Sequence, residues 1–164
     1  MTTPLTDAMR AGVGAVLAVR TSHPVDASAI RRWAIAVYWP QDPPARFLGG
    51  RDKLVAPEEF NPFAWSVAEH RTEHPAPDPA DPDRIEKLLG VEGPGLRTQL
   101  NGGVVVTHTA PMCEGDVITG TDRLVDYSVR EGKRGPMLMT TTEDTWVNQT
   151  GSVVRRTSMT LIRY

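Results

Sequence analysis

Cysteine is almost missing from this 164-residue chain: Cys113 stands alone, so no internal disulfide can form. The four histidines do not combine with it in any spacing that ligates zinc, and no metal site is expected. Net charge is scarce too, at −2. Nucleic acid and anionic membrane surfaces therefore have little electrostatic hold on the chain. Long apolar runs are absent near the start, where residues 11–19 (AGVGAVLAV) make a stretch of nine. That is about half of what a bilayer-spanning helix needs. Its two glycines and the preceding Asp7 also suit a secretory leader poorly, so a cytoplasmic location is expected. The sequon Asn148-Gln149-Thr150 is then incidental.

What remains is ordinary globular material with one surplus. A hydrophobic fraction of 40% excludes a disordered chain, and the length fits one domain over 1–164. Proline is the surplus, because ten of the 14 prolines fall between Pro40 and Pro94. Arginine outnumbers lysine 15 to 3, which reads as codon bias rather than a phosphate site.

Three regions follow from periodicity. The Val-rich stretch 13–20 predicts a short, largely buried strand. Asp26 is placed to cap a helix, after which Ile30, Trp33, Ala34, Val37 and Tyr38 recur on one face. Ile35 and Ala36 make its second half apolar nearly all round, predicting a helix wrapped by other elements, and Pro40 ends it. Residues 40–97 have no sustained period. They hold two helical candidates, 57–65 and 82–89, the second stopped by Gly90, and between them a stretch (75–82) with proline at alternate positions. Residues 98–164 are β-rich: four runs at 99–109, 117–130, 137–148 and 153–164 separate at turn residues, the last two joints short enough for hairpins. A buried helix ahead of a long antiparallel meander predicts an α+β fold in which the sheet wraps around a central helix, the hot-dog arrangement.

Residues 25–37 (VDASAIRRWAIAV) and 55–65 (VAPEEFNPFAW) resemble the N-terminal half of MaoC-like dehydratases, also called FAS1-like dehydratase domains. So do LNGG at 100–103, PMCEGDVI at 111–118, EGKRGPML at 131–138, WVNQTG at 146–151 and TLIRY at 160–164, in that order. The resemblance spans about 14 to the end. It implies a single hot-dog domain with a proline-rich loop or lid at about 40–97. It also implies reversible (R)-type hydration of a 2-enoyl thioester carried on coenzyme A or acyl carrier protein, with no other cofactor. The family's chemistry uses an Asp and a His, five residues apart in an Asp-x-Asn-Pro-x-His loop, around a catalytic water. Here that loop reads YWPQDPPAR at 38–46: Trp39 stands where the acid is expected, Gln41 replaces the Asn, and no histidine follows.

Two weak catalytic candidates are left. Asp42 is a displaced acid standing alone, and His108 alternates with Val104 and Val106 on a strand, either as a core histidine or as a catalyst. His23 reads as a turn residue, and Glu69, His70 and His74 as solvated. For substrate binding, Asn101, Gly102 and Gly103 allow close backbone approach, with a β-bulge as the equal alternative. Gly115 and Asp116 open the next strand near the family's acyl groove, and Arg134 at a hairpin tip could face coenzyme A phosphates or simply water. Three functions are compatible with these residues. The first is a hydratase/dehydratase (hydro-lyase) subunit inactive alone, paired with a MaoC-like subunit that supplies the Asp/His dyad. The others are a self-sufficient homodimeric hydratase and a non-catalytic acyl-thioester-binding or scaffold subunit.

Overall fold

The computed structural model describes residues 4–49, 53–64, 77–78, 80–133 and 135–164. Trp65, Glu69, His70, His74 and Arg134, together with part of the 75–82 proline stretch, lie outside the described residues. Five antiparallel strands form one sheet in the order β1-β3-β4-β5-β2: β1 Val16–Thr21, β2 Gln99–His108, β3 Ile118–Gly132, β4 Gly135–Asn148 and β5 Val153–Arg163. The two predicted hairpins set this order. Gly132 pairs with Gly135 at one tip, and at the other the Asn148 side-chain carbonyl accepts the amides of Thr150 (3.1 Å) and Ser152 (3.0 Å). Both edges of the sheet, β1 and β2, are therefore left to strands from the rest of the chain.

Helix α2 (Ala27–Tyr38) starts where the sequence places it, because the Asp26 carboxylate accepts the Ala29 amide at 2.8 Å. It buries one face only, through Ile30 and Ala34. The expectation of a fully wrapped helix is corrected here: Ile35 and Val37 are 50% and 57% exposed, since a single curled sheet covers a helix from one side. The 57–65 helix candidate is likewise not helical over 57–64, where turns deliver Phe60 and Phe63 into the core. Helix α3 (Arg84–Leu89) forms inside the second candidate and stops at Gly90, whose φ of 70° suits glycine. Helix α1 (Asp7–Ala11), capped by Thr6, has no periodic signature but packs the fully buried Met9. None of the described helices is long and apolar enough to cross a membrane.

The sheet's inner face carries two apolar clusters, one at each end. At the α2 end, Ile30, Ala34, Phe47 and Met112 pack against Ile118 and Trp146. At the other end, Leu5, Met9 and Ile85 of α1, α3 and their flanks pack against Leu124, Tyr127 and Leu138. A bulge between Leu124 and Asp126 keeps Leu124 and Tyr127 on the same face despite their odd spacing. The second cluster closes over a buried ion pair, in which Arg163 donates to both Glu86 oxygens at 2.8 Å and to the Thr140 hydroxyl at 2.9 Å. Tyr127 donates its hydroxyl to Glu86 at 2.6 Å, and the Pro82 carbonyl takes a further Arg163 hydrogen. This is the hot-dog arrangement expected from the sequence, with α2 lying in the curl of the sheet.

Candidate functional site

Strand register builds the site. Trp146 on β4 lies opposite Arg155 on β5, and Arg155 lies opposite His108 on β2. All three line a cavity of about 860 Å³ between the sheet and α2. Trp33, Val37 and Tyr38 of α2 form one wall, and Met112 and Val154 lie with Trp146 at the apolar base. Arg46, Glu58 and His108, all exposed, supply the charged and polar groups of the lining together with Glu59 and Arg155. A cavity of this size, mostly apolar with a few polar groups, suits a small organic ligand.

Each polar group is held differently. His108 Nε2 donates to the Glu58 backbone carbonyl at 3.1 Å, while Nδ1 lies 3.5 Å from the Glu58 carboxylate. The loop carrying Glu58 is thereby pinned to the end of β2, and an imidazole and a carboxylate come together at the cavity. Arg155 donates from Nε to the Thr157 hydroxyl at 3.1 Å and lies over the Trp146 ring, 4.6 Å from its centroid. The Trp146 indole in turn donates to Asp144 at 2.7 Å and meets the Phe63 ring edge-on at 5.2 Å. Gly120, next to Trp146 on β3, leaves room for Phe63: a Cβ there would lie 3.1 Å from the Phe63 ring. Arg20 pairs with Asp144 and stacks on the same phenyl ring.

One further pair sits beneath this rung. Asp122 and Asp144 face each other across β3 and β4. Burial, then the like charge of Asp144, pushes the Asp122 carboxyl above its usual range. Burial and then the Asp116 charge push the Cys113 thiol up, away from the thiolate form that a nucleophile needs. Among the described residues no three His, Cys, Asp or Glu side chains form a metal-holding group.

Of the described catalytic and binding candidates from the sequence, His108 alone lines this cavity. Asp42 is exposed on the loop after α2, away from the lining. Asn101, Gly102 and Gly103 form a β-bulge at the opposite end of β2, where Asn101 accepts the Gly103 amide at 2.8 Å and a Cβ on Gly102 would strike Ile162. Gly115 turns at φ 84°, and the Asp116 carboxylate is taken up by the Cys113 amide (2.8 Å) and the Gln149 side chain (3.1 Å). Arg134 lies outside the described residues. Glu58 and Arg155 are the groups that sequence reasoning missed. Neither had a usable signal: the 148–151 turn sets Val147 opposite Val153, and only a register shift beyond it brings Arg155 rather than Val154 opposite Trp146, while Glu58 meets a residue 50 positions away.

Comparison with known proteins agrees with this architecture. The family model for the FAS1-like dehydratase domain region matches residues 11–157. No curated protein matches the chain. Among solved structures, the ChsH1-ChsH2 complex of Mycobacterium tuberculosis is similar with a TM-score of 0.62 at 17% identity, covering 96% of this chain and 88% of that one. The R-hydratase PhaJ1 of Pseudomonas aeruginosa gives 0.51 at 14% identity, over 92% and 81%. The MaoC-like dehydratase of Rhodospirillum rubrum gives 0.50 at 20% identity, over 93% and 92%. At such identities the likeness is one of fold.

Proposed function

Because the chain belongs to the FAS1-like dehydratase domain family, we propose that it is one subunit of an (R)-type 2-enoyl-thioester hydratase/dehydratase. Its partner is a MaoC-like hot-dog subunit that brings the Asp/His dyad, and its substrate is an acyl group carried on coenzyme A or acyl carrier protein. In the hydration direction, water adds its oxygen to C3 of the enoyl group as a base takes its proton, and an acid delivers a proton to C2. Backbone amides hold the thioester carbonyl as negative charge builds on it.

One observation carries this reading: a ligand-sized cavity lies beside a strand edge that is unpaired among the described residues, in a chain whose expected catalytic loop holds no histidine. Val104, Val105 and Val106 of that edge strand are 48%, 66% and 40% exposed, and Ile35 and Val37 of α2 add to the apolar surface. A second hot-dog subunit can extend the sheet there and cover the helix. The test is coexpression with the MaoC-like subunit followed by a spectroscopic enoyl-coenzyme A hydration assay. The pair should exceed this chain alone by about 10²–10⁴-fold, the usual worth of a positioned acid–base group. Equal activity from the chain alone would discard the partner requirement.

The Glu58–His108 contact favours a second reading, a self-sufficient homodimer in which that pair is the acid–base element. It predicts turnover by the isolated chain, lost in His108→Ala with the circular dichroism spectrum intact. A non-catalytic binding subunit would instead bind acyl-coenzyme A and turn over in no complex.

A further inference from the structure

The strand arginines differ in how they are satisfied. Arg20 has Asp144, Arg156 has Glu143 at 3.1 Å, and Arg163 has Glu86. Arg155 has no acid. Its Nε is fixed by Thr157 and its plane by Trp146, while neither terminal nitrogen has a partner among the described residues. The Glu58 carboxylate of the same lining is turned to His108 instead. A guanidinium held at its base, stacked on an indole and left with two free donors is a preorganised fork for a two-oxygen anion.

We propose that Arg155 is an oxyanion-binding residue, and that the ligand of this cavity carries a carboxylate or phosphate that the Arg155 fork receives. The apolar base takes the hydrocarbon part, so the ligand is an amphiphile with one anionic end inside the rung formed by Trp146, Arg155 and His108. Two parts of an acyl thioester could supply the anion: a phosphate of the carrier, or a carboxylate at the far end of the acyl chain. The proposal rests on the cavity being the thioester groove only for the identity of the ligand, not for the recognition of the anion.

Isothermal titration calorimetry at low salt tests it with five probes: octanoyl-coenzyme A, free coenzyme A, the uncharged octanoyl-N-acetylcysteamine, its counterpart ending in a carboxylate, and free octanedioate. Arg155→Met keeps a chain over Trp146 and removes the fork, and Arg155→Lys keeps charge without it. The wild-type chain should bind an anionic thioester about 10- to 100-fold more tightly than the uncharged one. Arg155→Met should lose that margin while keeping the uncharged affinity, and Arg155→Lys should fall between. Loss confined to the coenzyme A probes assigns the anion to the carrier; loss confined to the carboxylates assigns it to the acyl chain. Wild-type and Arg155→Met chains that bind every anionic probe alike, or that bind none of them, overturn the proposal even if the uncharged thioester binds. Arg155-dependent binding of free coenzyme A or octanedioate, with no thioester bound, sustains it while removing the hydratase reading.

Discussion

Arg155 and Arg163 lie on the same strand and the same inner face, yet they serve opposite ends of the molecule. Arg163 is 1% exposed, and Glu86, Thr140 and the Pro82 carbonyl take up its terminal donors. Arg155 lines a cavity and keeps its terminal donors free among the described residues. The residue type is identical, so the difference comes from what the rest of the chain places opposite. At one end α3 inserts a carboxylate, and the arginine becomes part of the fold. At the other end α2 and the Pro57–Phe60 turn leave a gap, and the arginine stays available to something that is not the chain.

The largest effect should come from breaking the closed end. Glu86→Ala strands a buried guanidinium and should cost about 3–5 kcal/mol, measured by urea denaturation. Converting the pair together, Glu86→Leu with Arg163→Met, should cost clearly less than the single change. A double variant as unstable as the single one would mean that the pair contributes more than its mutual neutralisation.

Next in size is the response to acid. Burial pushes the Glu86 carboxyl up, but hydrogen bonds from Arg163 and then Tyr127 outweigh it and hold the group below its usual range. A carboxyl lowered in the folded state stabilises above its unfolded pKa and loses that contribution as pH falls through the folded value. Urea midpoints of the wild type should therefore drop on acidification, and those of Glu86→Gln should drop less from a lower plateau.

The open end should respond weakly. Arg155→Met should change stability by no more than about 1 kcal/mol, because a half-buried stack on Trp146 and one hydrogen bond to the Thr157 hydroxyl are all it removes. A larger loss by thermal unfolding would erase the contrast between the two arginines. The smallest effect is a gain. The Asp122 carboxyl is raised by burial and by Asp144, so its neutral form favours folding only at low pH and that contribution disappears as pH rises through the raised value. At pH 7 the charged group is a cost, and Asp122→Asn should lift the urea midpoint slightly there. The lift should vanish at about pH 3, where both forms are neutral.

Much of this was legible beforehand because it is local. Asp26 and Gly90 mark their helix ends through bonds and dihedrals within a few residues, and the two hairpins announce themselves by turn chemistry. The failures share a different cause. Residues 57–64 have helix-like spacing, yet Phe60 and Phe63 are drawn into the α2 cluster by contacts with distant strands. Helix α1 has a local cap in Thr6, but it is too short for a periodic pattern and its Met9 packs into a cluster built by distant strands. The site divides in the same way. His108 could be noticed on its strand, but the carboxylate beside it comes from a loop 50 residues earlier. The idle state of Arg155 is a property of its surroundings and is written in no single segment.

The edge of β2, bare among the described residues, bears on how the chain is made. Val104-Val105-Val106 is a β-branched run with no lysine or proline to blunt it, and its outward amides and carbonyls are a template for any strand that arrives. If the proposed second subunit is the true occupant of this edge, its capture competes from the moment the sheet forms with capture of another copy, in a race whose losing branch grows with concentration. Val105→Lys should slow the losing branch and the productive one together, since both use the same hydrogen bonds. Under the proposed pairing, supply of the second subunit, rather than the intrinsic stability of the domain, then sets how much of this protein persists in folded form.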